Sequence, residues 1–157
     1  MRVDLRELLE AAGTAHRAQA DAAGVALRLN APRPVDVIAD ADRLRQVVGN
    51  LVGNALRATA PGGTVTLALG RHGDLACLRV RDTGKGIPAE DLPHLFDRFW
   101  RADARGRAIG GSGLGLSIAR QIVADHQGTI TVESTVGAGT AFTVTLAATG
   151  PSPTDAG

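Results

Sequence analysis

Two short segments of this chain are rich in glycine, and these segments constrain the fold more than any other feature. DTGKGI occupies 82–87, directly after an apolar run that reads as a strand, and GGSGLGL occupies 110–116, directly before a helical pattern. Glycine lets a backbone turn tightly and approach another group closely. Each cluster therefore predicts a loop at the end of a regular element where the backbone comes close to a ligand or a neighbour.

The periodicity of apolar residues divides the rest of the chain into helices and strands. Helical spacing predicts helices over 4–23, over 41–59 with Asp40 as N-cap, and over 112–127, with a short helical piece at 92–99. Alternation predicts strands at 25–30, 35–39, 64–70 and 74–82, and a final hairpin of 129–135 with 140–148. The expected fold is α/β (α+β), a two-layer sandwich in which a mixed, largely antiparallel sheet of about five strands packs on three helices.

Length and composition restrict the class of protein. The 157 residues suit one domain, expected over 1–147, with a disordered tail at 148–157. A net charge of +1 gives no electrostatic case for binding nucleic acid or a membrane. Neither a signal peptide nor a spanning segment is evident, so we expect a cytoplasmic location. The single cysteine, Cys77, lies in an apolar strand and is expected to be a small buried hydrophobe.

Two asparagines lie inside an otherwise apolar helix. Asn50 and Asn54 are one turn apart, so they share a face, and Arg57 joins that face one turn later. Amide oxygens are hard ligands that suit Mg²⁺, and a guanidinium suits phosphate oxygens. The alternative is a polar patch on an exposed helix face.

Asp82 stands at the end of a strand, where the first glycine-rich segment begins. An ionised carboxylate accepts hydrogen bonds and cannot donate them. It therefore suits the exocyclic amine of adenine and disfavours guanine, which presents an acceptor at that position. An ordinary glycine turn is the alternative.

The second glycine-rich segment opens a helix, where free backbone N–H groups and the helix N-terminus favour an anion such as phosphate. It lacks the Gly-Lys-Ser/Thr of a Walker A loop. The preceding segment, 100–111, is rich in arginine and long for a simple connection, which suggests a mobile lid whose Arg105 or Arg107 reaches a terminal phosphate. A flexible linker and a solvated charged loop are the respective alternatives.

In this order the motifs resemble the nucleotide-binding boxes of the ATPase superfamily that contains gyrase, chaperone, histidine kinase and mismatch-repair proteins. QVVGNLVGNALRAT resembles the N box, DTGKGI the first glycine box, LFDRFWR the phenylalanine box, GGSGLGLSIAR the second glycine box, and GAGTAF the end of the domain. The resemblance runs from about residue 4 to residue 147.

The resemblance implies ATP and Mg²⁺ as cofactors. It implies that Asn54 ligates Mg²⁺ with Asn50 close by, that Arg57 contacts phosphate, and that Asp82 holds adenine. Phe96 and Phe99 would anchor the lid. The implied nucleotide contacts are Gly84, Gly86, Ile87, Phe99, Gly111, Gly113, Leu114, Gly115, Leu116 and Thr140, with Arg107 as a catalytic arginine.

The histidine kinase branch fits best, because clamp-type ATPases of this superfamily place a glutamate where Asn50 stands. An amide cannot take a proton from the attacking water at neutral pH. The chain departs from the branch in two ways. Ala58 stands where the family often has an aromatic over adenine, and none of His16, His72, His94 and His126 lies in a phosphoacceptor motif. We expect all four histidines to be structural or exposed.

The leading hypothesis is therefore a catalytic domain that transfers the γ-phosphoryl group of Mg·ATP to a histidine on a separate dimerisation and phosphoacceptor domain, which then serves a response regulator. An excised piece of a longer sensor kinase and one half of a split kinase both fit. The alternatives are a serine kinase of the anti-sigma-factor type and a nucleotide-binding interaction module without transfer activity. The LFDRFWR segment favours the histidine kinase branch.

Overall fold

The structure, a computed structural model, describes residues 1–97 and 115–150. Two layers make up this part of the chain, three helices on one side and a five-stranded sheet on the other. The elements in chain order are β1 (Arg2–Asp4), α1 (Leu5–Ala23), β2 (Ala26–Asn30), β3 (Asp36–Ile38), α2 (Ala41–Ala58), β4 (Thr64–His72), β5 (Leu75–Asp82), a short 3-10 helix (Leu92–His94), α3 (Gly115–Asp125), β6 (Thr129–Thr135) and β7 (Gly139–Ala147).

The main sheet has the strand order β2-β4-β5-β7-β6. Only β2 and β4 pair in parallel, and the other three pairings are antiparallel. The α/β (α+β) two-layer sandwich with a mixed, largely antiparallel sheet is thus confirmed. The lid expected at 100–111 lies outside the described residues.

Helix boundaries follow from capping. The side chain of Asp4 accepts the backbone N–H groups of Arg6 and Glu7 at the start of α1, and Gly24 ends that helix in the left-handed conformation. Asp40 caps α2 in the same way, as the sequence predicted. Both long helices therefore begin at an aspartate that satisfies N–H groups left without an intrahelical partner.

The core lies between the helices and the inner face of the sheet. Alternate residues of β4 and β5 point into it, whereas α2 contributes a continuous buried face. The fully buried side chains of this layer include Leu9, Leu51, Val52, Val65, Leu67, Val80, Val123 and Phe142. Burial of this apolar area fixes α2 against β4 and β5, the arrangement that positions the polar residues described below.

The N-terminal end of α2 is joined to the C-terminal end of α3 by two side-chain contacts. His126 accepts the backbone N–H of Asp40 at Nε2, at 3.1 Å, while its Nδ1 lies 2.8 Å from the carbonyl oxygen of Ile122. Arg43 pairs with Asp125 at 2.7 Å and lowers the pKa of that carboxyl. His126 thus has a structural role, as expected.

Two expectations from the sequence are corrected. The strand β1, which pairs with β3 in a separate two-stranded sheet, was not predicted. Cys77 is only partly buried, because Ala76, Leu78 and Val80 take the core face of β5 and Cys77 lies on the other face. Partial burial nevertheless raises the pKa of its thiol.

Residues 148–150, which the sequence placed in the tail, contact the N-terminal part of the chain. Ala148 bridges to Val37, and Thr149 donates to the carbonyl oxygen of Asp36 from both its backbone N–H and its hydroxyl. Residues 151–157 lie outside the described residues. Within the described ranges, no helix is both long and apolar enough to cross a membrane.

Candidate nucleotide-binding site

Asn54 lies on α2 in a largely buried position, and the described residues do not use the hydrogen-bonding capacity of its amide. Asn54 is only 7% exposed, and its amide makes no hydrogen bond to any residue within 1–97 or 115–150. Arg57 is exposed, and its guanidinium folds back over the helix, 3.3 Å from the position that a Cβ on Gly53 would occupy. An amide without an intramolecular partner is free to bind a ligand, and its oxygen suits a hard cation, so Asn54 is a candidate ligand-binding residue.

Asn50 has a different environment from Asn54. Its Nδ2 donates to the carbonyl oxygen of Gly115 at 3.0 Å, which ties the middle of α2 to the first turn of α3. A Cβ on Gly115 would lie 3.7 Å from Cγ of Asn50, an ordinary van der Waals distance, so the two residues are direct neighbours. The structure thus brings the predicted residues Asn50 and Gly115 into contact, and Asn50 links α2, which carries the N box, to α3.

Asp82 ends β5 and is 3% exposed. Its Oδ1 accepts the backbone N–H of Gly84 at 2.8 Å. Burial raises the pKa of this carboxyl, and the N–H groups of Gly84 and Thr140, which donate to it, oppose that rise. An aspartate retained in such a place at a cost in desolvation is typical of a functional site.

The first glycine-rich segment needs its glycines for close packing. A Cβ on Gly84 would lie 2.4 Å from the carbonyl oxygen of Ala58 at the end of α2. Gly86 has a φ of +78°, and a Cβ there would lie 2.2 Å from the carbonyl oxygen of Thr135. These contacts hold the loop that follows Asp82 between the end of α2 and the hairpin of β6 and β7. Asp82 and α2, which carries Asn50 and Asn54, are therefore parts of one region.

Gly139 contributes to the same region, although the sequence analysis did not single it out. It has a φ of +113°, and a Cβ on it would lie 2.1 Å from the carbonyl oxygen of Asp82. The GAGTAF motif contains this glycine, so the motif was a signal that could have identified it. Thr140, which was predicted, is 6% exposed and pairs directly with Asp82 across β5 and β7.

Replacing Gly139 by alanine should destabilise the chain by about 2 kcal/mol or more, because the new methyl group meets backbone and φ is strained. Gly137 is a matched control: it lies in the same turn with a φ of +84°, and no atom lies within 4 Å of its added Cβ. Gly137→Ala should therefore cost only about 1 kcal/mol. Urea unfolding of both variants measures the difference, and equal losses would contradict the proposed close contact.

Phe96 packs against the sheet and against α3. Its ring packs edge-on against Phe142, with ring centroids 6.2 Å apart, and the guanidinium of Arg120 lies 5.6 Å above it. Leu116 and Ile87 are partly buried against the same core. The remaining predicted residues, Phe99, Arg105, Arg107, Gly111, Gly113 and Leu114, lie outside the described residues.

Comparison with known families decides the class of this site. The model of the histidine kinase-, DNA gyrase B- and HSP90-like ATPases matches residues 39–150, which include the asparagine helix, both glycine-rich segments and the final hairpin. The chain belongs to this ATPase family. ATP is accordingly the nucleotide that the domain binds.

Curated relatives of this ATPase domain include sensor histidine kinases. The chain is 40% identical over 147 residues to the sensor-like histidine kinase SenX3 of Mycobacterium tuberculosis, covering 93% of this chain and 36% of the relative. It is 39% identical over 145 residues to the histidine-protein kinase BaeS of Escherichia coli, covering 92% of this chain and 31% of the relative. The chain thus spans about a third of the length of these relatives.

Solved structures agree with these relatives. The mycobacterial sensor histidine kinase MprB superposes with a TM-score of 0.85 at 30% identity, covering 97% of this chain and all of that one. Full-length ShkA in complex with AMPPNP superposes with a TM-score of 0.83 at 28% identity, covering 98% of this chain and 32% of that one. The chain therefore contains a histidine kinase-type ATPase catalytic domain.

Proposed function

We propose that this domain binds Mg·ATP and transfers the γ-phosphoryl group to a histidine on a separate dimerisation and phosphoacceptor domain in two-component signalling. The observation that carries the proposal is the amide at Asn50, which donates to Gly115. An amide engaged in this way cannot act as general base for water. Hydrolysis then competes poorly, and the γ-phosphoryl group is kept for a protein acceptor.

On this proposal Asp82 recognises the base. The two N–H groups that donate to its carboxyl, from Gly84 and Thr140, hold it in place and leave acceptor capacity for the amine of adenine. Gly84 and Gly86 would hold the loop beside the base, since a Cβ at either position would meet the backbone of Ala58 or Thr135. Ile87 and Thr140 complete this side of the site.

Asn54 and Arg57 would serve the phosphate side. An amide oxygen is a suitable Mg²⁺ ligand, and the amide of Asn54 makes no hydrogen bond within the described ranges, so the residue present fits the ion. Bound Mg²⁺ would supply neutralisation of charge on the phosphate oxygens. Arg57 lies one turn from Asn54 on the exposed side of α2 and would contact a phosphate directly.

The helix α3 would present the second glycine box. Its first residues, Gly115 and Leu116, are held by Asn50 and by the core, and its N-terminus provides a favourable end for an anion. Gly111, Gly113, Leu114, Arg107 and Phe99 are proposed as further nucleotide contacts on the resemblance alone. The phosphoacceptor domain, on the same or another polypeptide, and indirectly a response regulator are the proposed partners.

Transfer of label from γ-labelled ATP to the histidine-containing hairpin of a related sensor kinase tests this function. Acid-labile, alkali-stable label on the hairpin, absent when its histidine is replaced by glutamine, is the expected result. Acid-stable label on a protein substrate would instead support a serine kinase. Binding of ATP without transfer to any of a panel of such hairpins would support a nucleotide-binding module.

A further inference from the structure

The hydroxyl of Ser134 joins three parts of the site. Its Oγ accepts the backbone N–H of Ile87 at 2.8 Å, donates to the carbonyl oxygen of Gly139 at 3.0 Å, and lies 2.8 Å from Oγ1 of Thr140. A serine hydroxyl has one proton and two acceptor lone pairs. Its proton serves Gly139 and one lone pair serves Ile87, so the contact with Thr140 is completed when the threonine hydroxyl donates.

This arrangement determines which hydrogen-bonding groups the site presents beside Asp82. Asp82, Thr140 and Ser134 are register partners in a row across β5, β7 and β6, so their side chains lie on one face of the sheet. With its proton directed to Ser134, the hydroxyl of Thr140 presents only acceptor lone pairs elsewhere. Two neighbouring acceptors suit the amine of adenine and oppose the carbonyl oxygen that guanine carries at that position.

The same hydroxyl also holds the loop that carries the first glycine box. Ile87 is tied to Ser134, and the N–H of Gly137 donates to the carbonyl oxygen of Lys85 at 2.8 Å. The loop is thereby fastened to the β6–β7 hairpin on both sides of Gly86. Loss of the serine hydroxyl would break the hydrogen bond to the N–H of Ile87. It would also leave the Thr140 hydroxyl able to donate its proton to another group.

We propose that Ser134 is a positioning residue for base selectivity, which favours adenine over guanine nucleotides by fixing the proton of the Thr140 hydroxyl away from the base. The proposal rests on the assignment of Asp82 as the adenine-binding residue. Ser134 itself need not touch the nucleotide, because it acts through Thr140 and Ile87.

Binding of ATP and GTP to Ser134→Ala tests this role. We expect the ratio of ATP to GTP affinity to fall about tenfold, the effect of one hydrogen bond of ordinary strength, because the freed Thr140 hydroxyl can donate to guanine. Ser134→Thr keeps a hydroxyl and should keep the ratio. Ser134→Cys is close in size to serine but carries a weakly hydrogen-bonding thiol, so it should also lower the ratio of ATP to GTP affinity. It provides the test where the alanine variant does not fold.

Thr129→Ala is the matched control, because Thr129 makes a hydroxyl–hydroxyl contact with Thr145 on the same two strands but on an exposed part of the sheet. It should leave the ratio unchanged. An unchanged ratio in folded Ser134→Ala or Ser134→Cys, or an equal fall in Thr129→Ala, overturns the role of Ser134. Failure of the unmodified chain to bind ATP would instead overturn the proposed function.

Discussion

Replacing Asp82 by alanine should lower the affinity for ATP by on the order of 100-fold or more while the chain stays folded. The carboxyl is 3% exposed, so a hydrogen bond from adenine to it is made away from competing water. Alanine removes the acceptor and leaves the N–H of Gly84 without its present partner. Titration calorimetry with ATP, together with thermal unfolding of the same samples, measures both effects.

Asp74→Ala is the matched control, because Asp74 is an exposed aspartate in the turn at the opposite end of β5. Its replacement should leave ATP affinity unchanged. Asp82→Asn separates shape from charge, since asparagine retains an oxygen that can accept the N–H of Gly84. An ATP dissociation constant that is unchanged in folded Asp82→Ala would remove the adenine assignment.

Keeping Asp82 ionised in the folded chain carries a cost in free energy. Burial raises its folded-state pKa above the ordinary value of 3.8. A raised folded-state pKa means that the protonated carboxyl stabilises the folded chain at pH values below the ordinary pKa. This stabilisation is lost as pH rises through the folded-state pKa, so the ionised carboxyl opposes folding. Asparagine has no such loss and could fill the same space. Part of the role of this carboxyl is structural, because it accepts the N–H groups of Gly84 and Thr140, and the proposed adenine contact would add to that role.

Much of the fold could be predicted because its signals are local. The apolar spacing of α2 and the cap at Asp40 lie within about 20 residues of sequence, and both were predicted correctly. Cys77 was assigned to the wrong face because Leu75, Ala76, Cys77 and Leu78 are all apolar, which leaves the phase of alternation ambiguous. Only pairing with β4 and β7 determines which residues face the core.

Candidate site residues could be named from the sequence, and their roles are proposals, but their contacts could not be predicted. Asp82, Asn54 and the glycines stand out in the sequence because their chemistry is unusual for a strand end or a helix interior. The approach of Gly139 to Asp82 and the hydrogen bond of Ser134 to Ile87 join residues 47 to 57 positions apart. Such contacts arise from the pairing of β5, β6 and β7, and no local pattern encodes them.

Asn54→Ala should reduce Mg²⁺-dependent phosphoryl transfer by on the order of 100-fold and change nucleotide binding without Mg²⁺ much less. The reason is that the buried amide of Asn54 is proposed to act on the metal rather than on the nucleotide. The two halves of the prediction are measured by transfer assays across a range of Mg²⁺ concentrations and by ATP binding in the presence of a chelator. Higher Mg²⁺ should partly restore transfer, because the lost ligand weakens binding of the ion.

Gln46→Ala is the matched control for this prediction. Gln46 also carries an amide on α2, but it is exposed and lies eight residues before Asn54, about 12 Å along the helix axis. Its replacement should affect neither binding nor transfer. Asn54→Asp retains an oxygen ligand and should keep part of the Mg²⁺ response. Equal loss of ATP binding in Asn54→Ala with and without Mg²⁺ would contradict the metal role and would assign Asn54 to the nucleotide itself.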